Sequence, residues 1–272
     1  MTLAAATRSE TAKQFTTSMW WVLAIILVAY VAFTAGALGF AFGGAATGAV
    51  SGMTGPEFPS QGLAGLLYST ATGVGYVFPL LIGTLIVTSE FRHQTLTPTF
   101  LAVPRRGSVL WAKLAVGVLL GALYGTLGIV ASVGPAAGLL AGFGLDTELT
   151  SPDTWAMLAR MLLAYVLWVF IGIGVGALVR NQVGAIVGVL VFTQFVEPIV
   201  RTAAGFIDGL SGVVQYLPGA ASDALVGASV FSLAMPAASD PVQWWVGGVM
   251  LLAYAVVLLV LGYLTTWRRD VS

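Results

Sequence analysis

The chain has 272 residues, of which 58% are hydrophobic and 8% charged, whereas a soluble domain carries about 25% charged residues. Its mean hydropathy of +0.96 makes the lipid bilayer the expected solvent. The 11 basic and 11 acidic residues cancel, so no net field recruits nucleic acid, and the lack of cysteine with a single histidine excludes disulfide, thiol and Cys/His zinc chemistry.

In chain order, a polar lead from Ala4 to Ser18, with Arg8, Glu10 and Lys13, predicts a short helix lying at the inner membrane interface. A helix crosses the bilayer with about 20 apolar residues, and six segments qualify: Met19–Phe42, Gly62–Thr88, Val109–Ala131, Trp155–Val179, Val183–Val200 and Trp244–Thr266. None of these runs alternates as a barrel strand would. The first is too long and too polar in its N-terminal flank for a signal peptide. Only Arg180, Asn181 and Gln182 join the fourth and fifth spans, which predicts a tight antiparallel hairpin. Residues 202–243, rich in Gly, Ala and Ser, are too broken to cross and predict either short helices on the outer face or a re-entrant hairpin. The expected fold is therefore an all-α integral membrane protein. Its parts are an N-terminal interfacial helix (1–18) and a six-span domain (19–272), which includes a loop at 89–107 and the outer segment.

Placing both termini in the cytoplasm puts nine of the eleven basic residues inside and eight of the eleven acidic ones outside, as the positive-inside rule demands. Arg160 and Arg201 then fall at the outer boundary and read as interfacial anchors. Glu197 and Arg201, at i,i+4, can pair with each other. Pro198 leaves the carbonyl of Gln194 without its helical partner, which makes a polar notch beside Phe192, Thr193 and Phe195.

Spans one, two and six contain no charge, and span three has only Lys113 at its cytoplasmic entrance. An ion-driven carrier keeps an ionisable residue within the membrane, so that mechanism is disfavoured. No catalytic set and no phosphate-binding loop is present, because neither lysine follows the required glycine. The chain is not expected to be an enzyme, and any energy for transport would come from another subunit.

The stretch from Ser89 to Leu114 is the informative one. Thr88 or Ser89 can cap a short helix with Glu90 in its first turn. Phe91 and Thr95 share one face, Arg92 and His93 point elsewhere, and Pro98 and Pro104 bound the segment before Arg105 and Arg106. The expected product is a rigid cytoplasmic helix with one aromatic knob and a basic exit.

These residues resemble the type-2 ABC exporter permeases of bacteria. The likeness lies in E-F-R-x-x-T (Glu90–Thr95), the P-R-R turn at Pro104–Arg106 and A-K at Ala112–Lys113. It continues in Arg8, Ser9, Glu10, Lys13, Trp20 and Trp21, in VRNQVGAIVG (Val179–Gly188), Glu197–Pro198, YLPGAA (Tyr216–Ala221) and WRRD (Trp267–Asp270), and so spans nearly the whole chain in order. The resemblance implies a membrane subunit of an ATP-driven exporter in the bacterial plasma membrane. It would be paired with a second permease, as homodimer or heterodimer, and with two cytoplasmic ATPase subunits that bind ATP and Mg; the permease itself carries no cofactor. The loop after span two would be the coupling helix. Glu90, Phe91, Arg92 and Thr95 would contact or support the ATPase groove, Arg105 and Arg106 would flank it, and Arg180 would lie close by. Spans two and five would face the transport path with Tyr68, Tyr76, Phe78, Phe192, Gln194 and Glu197, a lining suited to drugs, lipids or peptides. The same aromatics can equally be packing residues. The competing expectations are a membrane-anchored immunity or assembly protein and an ion-driven secondary transporter. The glycine pairs Gly117/Gly121/Gly125, Gly172/Gly176 and Gly184/Gly188 predict close helix approach within one subunit before they predict a dimer seam.

Overall fold

The computed structural model describes residues 2–48, 62–95, 106–204, 206–207, 211–230 and 242–267. Among these residues all regular structure is helical. The elements are α1 (Leu3–Thr16), α2 (Met19–Thr47), α3 (Leu63–Tyr68), α4 (Thr70–Gly73), α5 (Val77–Arg92), α6 (Arg106–Gly142), α7 (Pro152–Leu178), α8 (Gln182–Val191), α9 (Glu197–Ala203), α10 (Ser211–Val214), α11 (Pro218–Val226) and α12 (Trp244–Gly262). Among the described residues six spans are long and apolar enough to cross a membrane: Met19–Thr47, Leu63–Arg92, Gly107–Gly142, Pro152–Leu178, Gln182–Ala203 and Trp244–Thr265. The chain is thus a multi-pass membrane protein by the length and composition of its helices.

Span two is the axis of the bundle. Its apolar window is 94% buried, against 22% for spans five and six, whose outward faces are exposed. The reason is visible in its glycines. Gly83 lies against Gly172 of span four with Cα 3.1 Å from the position of its missing Cβ, and Gly176 abuts the carbonyl of Thr84. Two backbones can meet this closely only where neither carries a side chain. Gly117, Gly121 and Gly125 of span three lie against Val169, Val166 and Leu162 of span four. The glycine spacings of spans three and four are therefore used inside the chain.

Span two is not one helix. It breaks between Gly73 and Tyr76, and Tyr165 of span four donates its hydroxyl to the Ala71 carbonyl (2.6 Å). In lipid a backbone group released from a helix needs such a partner. Pro79 sits in the first turn of α5, where a missing N–H costs nothing. Span three runs past the expected end at Ala131 to Gly142, so that α6 is about 55 Å long. Its extension packs on span one, with Pro135 near Gly36, Leu139 near Gly39 and Phe143 near Gly43.

Three sequence expectations change here. No separate helix begins at Thr88 or Ser89: α5 continues unbroken to Arg92, with the Thr88 hydroxyl bonded back to Thr84, so Glu90 sits in a last turn and not a first. The helix then stops at Gln94, whose φ of 54° is left-handed, and the Thr95 amide returns to the Glu90 carbonyl (3.0 Å). This is a Schellman-type stop with glutamine in the position usually given to glycine. Phe91 and Thr95 consequently share no helical face: Phe91 is half-buried against the core and Thr95 is exposed beyond the stop. Pro98, Pro104 and Arg105 lie outside the described residues, as do the side chains of Arg106 and of the terminal basic pair Arg268 and Arg269.

The turn between spans four and five is as short as expected, and Asn181 caps span five by accepting the Gly184 amide (3.1 Å). Span five nevertheless leans on span two more than on span four.

Candidate functional site

The densest chemistry lies where α1 meets the ends of spans two and three. Four charged side chains from three helices close a ring of alternating sign. Lys13 Nζ is 2.6 Å from Glu10 Oε1, Glu10 Oε2 is 2.7 Å from Lys113 Nζ, Lys113 Nζ is 2.9 Å from Glu90 Oε2, and Glu90 Oε1 is 3.1 Å from Lys13 Nζ. The Lys113–Glu90 approach is a charge contact without hydrogen-bond alignment. Lys113 also donates to the Ile86 carbonyl (3.3 Å).

Local sequence places each member. Thr2 caps α1 by accepting the Ala5 amide, and Glu10 and Lys13 follow at i,i+3 on the face turned to the bundle. Glu90 occupies the last turn of α5, and Lys113 the second turn of α6. Lys113 is 0% exposed. An ammonium buried alone costs several kcal/mol, so it survives here because two carboxylates surround it. Burial opposes the charged form of Glu10, yet the nearby Lys113 charge and its hydrogen bonds, with those of Lys13, hold its carboxyl below the usual 4.5. For Lys13 burial acts downward, and the Glu10 and Glu90 carboxylates carry it above 10.5.

Of the predicted coupling residues, Glu90 is therefore inside the ring, Phe91 is half-buried, and Arg92, Thr95 and Arg180 are exposed at the same end of the bundle. Lys113 stands near the start of span three as expected but is buried there, and α1 is helical as expected but turns Glu10 inward. Sequence reasoning missed the ring because its members lie up to 103 residues apart. The available signal was one lysine at the head of an apolar span, matched by Glu10 and Glu90 in two otherwise separate motifs.

The predicted path residues do not share one surface. Tyr68 is buried and donates to the Thr147 carbonyl (2.6 Å). Tyr76 is buried against Trp168, with ring centroids 4.6 Å apart, and donates to the Thr193 carbonyl (3.1 Å). Phe78 is buried beside Tyr30. Phe192 and Gln194 point outward. The notch expected at Pro198 is a π-helical turn, Phe192–Val196, in which the Glu197 amide reaches back to Phe192. Such turns absorb one extra residue where a proline denies the ordinary bond.

A second polar site joins span five to α11, away from α1. Glu197 accepts the Ala220 amide (3.2 Å) at the start of α11. Arg201 does not pair with Glu197 as its spacing suggested; it pairs with Asp223 of α11, which also accepts the Ser229 hydroxyl (2.7 Å). Burial pushes the Asp223 carboxyl above its ordinary 3.8, against the pull of Arg201 and of both hydrogen bonds. Trp168 donates to Ser222 of the same helix (3.1 Å), and Ser222, Leu225 and Val226 are buried. The outer segment carries short helices, as one of its two expectations had it, and α11 is packed and buried against spans four and six. Arg160, expected as a boundary anchor, sets its guanidinium 5.8 Å from the Trp244 ring centre and beside Gly227, so it is a packing residue.

Among the described residues no group of three or more His, Cys, Asp or Glu side chains is placed to hold a metal ion. Comparison with protein-family models and with curated protein sequences found no match to this chain.

Proposed function

We propose that the chain is the permease subunit of an ATP-driven exporter in a bacterial plasma membrane. It would work with a second permease and two cytoplasmic ATPase subunits and carry amphipathic or hydrophobic cargo such as drugs, lipids or peptides. The observation that supports this reading most is the charge ring. Glu90 and Lys113 bracket the connection from His93 to Arg105, and both are tied to α1 through Glu10 and Lys13. A push on that connection would pass into spans two and three together, because the two helix ends are joined and cannot splay independently. Arg92 and Arg180, exposed at the same end, would meet the motor. The order of motifs along the chain supports the same reading, with both termini in the cytoplasm.

Two measurements test it. Purification from the native membrane in mild detergent is expected to bring down an ATPase in stoichiometric amount; reproducible isolation of the permease alone defeats the proposal. In the intact complex, Phe91→Ala and Arg92→Glu should each cut cargo-dependent ATPase activity about tenfold, the size of one lost interface anchor, while the permease remains folded. Normal export by both variants would remove the loop from the coupling machinery.

One observation favours a membrane-anchored immunity or assembly protein instead: Tyr68, Tyr76 and Phe78 are consumed in packing within a single chain. Tyr76→Ala separates the readings, since a path residue changes cargo preference and a packing residue changes only stability.

A further inference from the structure

Span five meets α11 through two polar links one helical turn apart. Glu197 receives the backbone amide of Ala220, and Arg201, four residues later, pairs with Asp223, three residues further along α11. Leu217, the residue before α11, offers no side-chain cap. Glu197 therefore supplies from another helix the acceptor that a helix N-terminus requires. The fit is close: a Cβ built on Gly219 would collide with Glu197 Oε1.

The link is incomplete on one side. Glu197 is 1% exposed, and its Oε2 is buried with no hydrogen-bond partner. Arg201, the cation on its own helix, is turned to Asp223. Among the described residues the Tyr76 hydroxyl of span two also faces this carboxylate, and it spends its proton on the Thr193 carbonyl. A carboxylate oxygen left unsatisfied in apolar surroundings is expensive, and a bound proton removes that expense.

We propose that Glu197 is a proton-binding site whose occupancy sets how firmly α11 is seated on span five. Without the proton, the carboxylate charge holds the positively polarised start of α11. With a proton taken from water on the α11 side, Oε2 is neutralised, the charge-assisted part of the link is lost, and α11 is released to move. This switch is independent of the exporter reading and stands whether or not the chain moves cargo.

The chain contains no cysteine, so Tyr216→Cys and Ala156→Cys, both at exposed positions, give one defined pair of spin labels. Their distance distribution, measured by electron paramagnetic resonance on the full chain in lipid nanodiscs from about pH 4 to pH 9, reports the seating of α11. Two populations are expected, with a ratio that changes by up to about tenfold per pH unit, as one proton requires. Glu197→Gln should lose the midpoint of the parent and keep only what the Asp223–Arg201 pair contributes, and Glu197→Asp should still titrate. Asp223→Asn removes the negative charge beside Glu197 and should move the midpoint to lower pH. A distribution independent of pH overturns the proposal, as does titration in Glu197→Gln with the midpoint of the parent. If that variant does not fold, an unmoved midpoint in Asp223→Asn overturns it equally.

Discussion

The two polar sites of this molecule lie apart and are built on opposite plans. At the α1 site four charges alternate around a closed ring, and each carboxylate oxygen faces an ammonium. At the α11 site, among the described residues, Arg201 pairs with Asp223, and Glu197 keeps one oxygen without a hydrogen-bond partner. The two buried carboxyls outside the spans record the difference. Glu10, between two lysines, is drawn below its ordinary range, whereas Asp223, with one arginine, is pushed above its own. Burial acts upward on both, so the supply of cations decides which way each goes. The ring is thus a fixture, and the α11 site a contact able to change.

The largest break in that comparison comes from Lys113→Met. It leaves Glu10 and Glu90 buried with only the half-exposed Lys13 between them, and the expected loss is about 3–5 kcal/mol. Thermal unfolding in detergent reads this directly. The double variant Lys113→Met/Glu10→Met should lose less than the sum of the two single variants, because it removes a charge of each sign.

Gly219→Ala should cost less, about 1–3 kcal/mol, since a methyl group there must displace Glu197. Combined with Glu197→Ala, which empties that space, the penalty of the alanine should largely vanish. Persistence of the full penalty would show that Gly219 is confined by something other than the carboxylate.

The ring also sets a pH window. The lowered Glu10 contributes stability that is present above its unfolded value of 4.5 and is lost as pH falls through its folded value. The raised Lys13 contributes stability that is complete below 10.5 and is lost as pH rises through its higher folded value. The difference in melting temperature between the parent and Glu10→Gln should therefore be flat through the neutral range and shrink in acid. Asp223 works the other way: its raised carboxyl favours the fold most in acid and gives that contribution up as pH rises through its folded value. A parent-minus-variant difference that grows in acid for Glu10→Gln would contradict the closed ring.

The smallest expected effect is at Gln94. Its left-handed backbone costs a side-chain-bearing residue about 1 kcal/mol, so Gln94→Gly should raise stability by roughly that amount or less. A fall in melting temperature would mean that the stop after Arg92 depends on the glutamine side chain.

Much of the fold was legible in the chain. Uninterrupted apolar runs require helices wherever lipid replaces water, because no other open structure satisfies the backbone there. That argument located all six spans, with the main error in the third, where Pro135 and the glycines of span one permit an extension that hydropathy does not mark. Asn181 and the short turn beside it were equally plain, since a cap is a local bond. Glu90 was the instructive failure. Its neighbours fit the start of a helix as well as the end of one, and the choice was made by Lys113 and α1, which are distant in sequence.

By itself, then, the sequence determined that this chain lives in a membrane, how many times it can cross and which residues are rare enough to matter. Only the tertiary structure decided what those rare residues do. It closed Glu10, Lys13, Glu90 and Lys113 into one ring, turned Arg201 from Glu197 to Asp223, and seated α11 on the oxygen left over. The physical reason is that apolar burial depends on composition along the chain, while the pairing of buried charges depends on which helices meet.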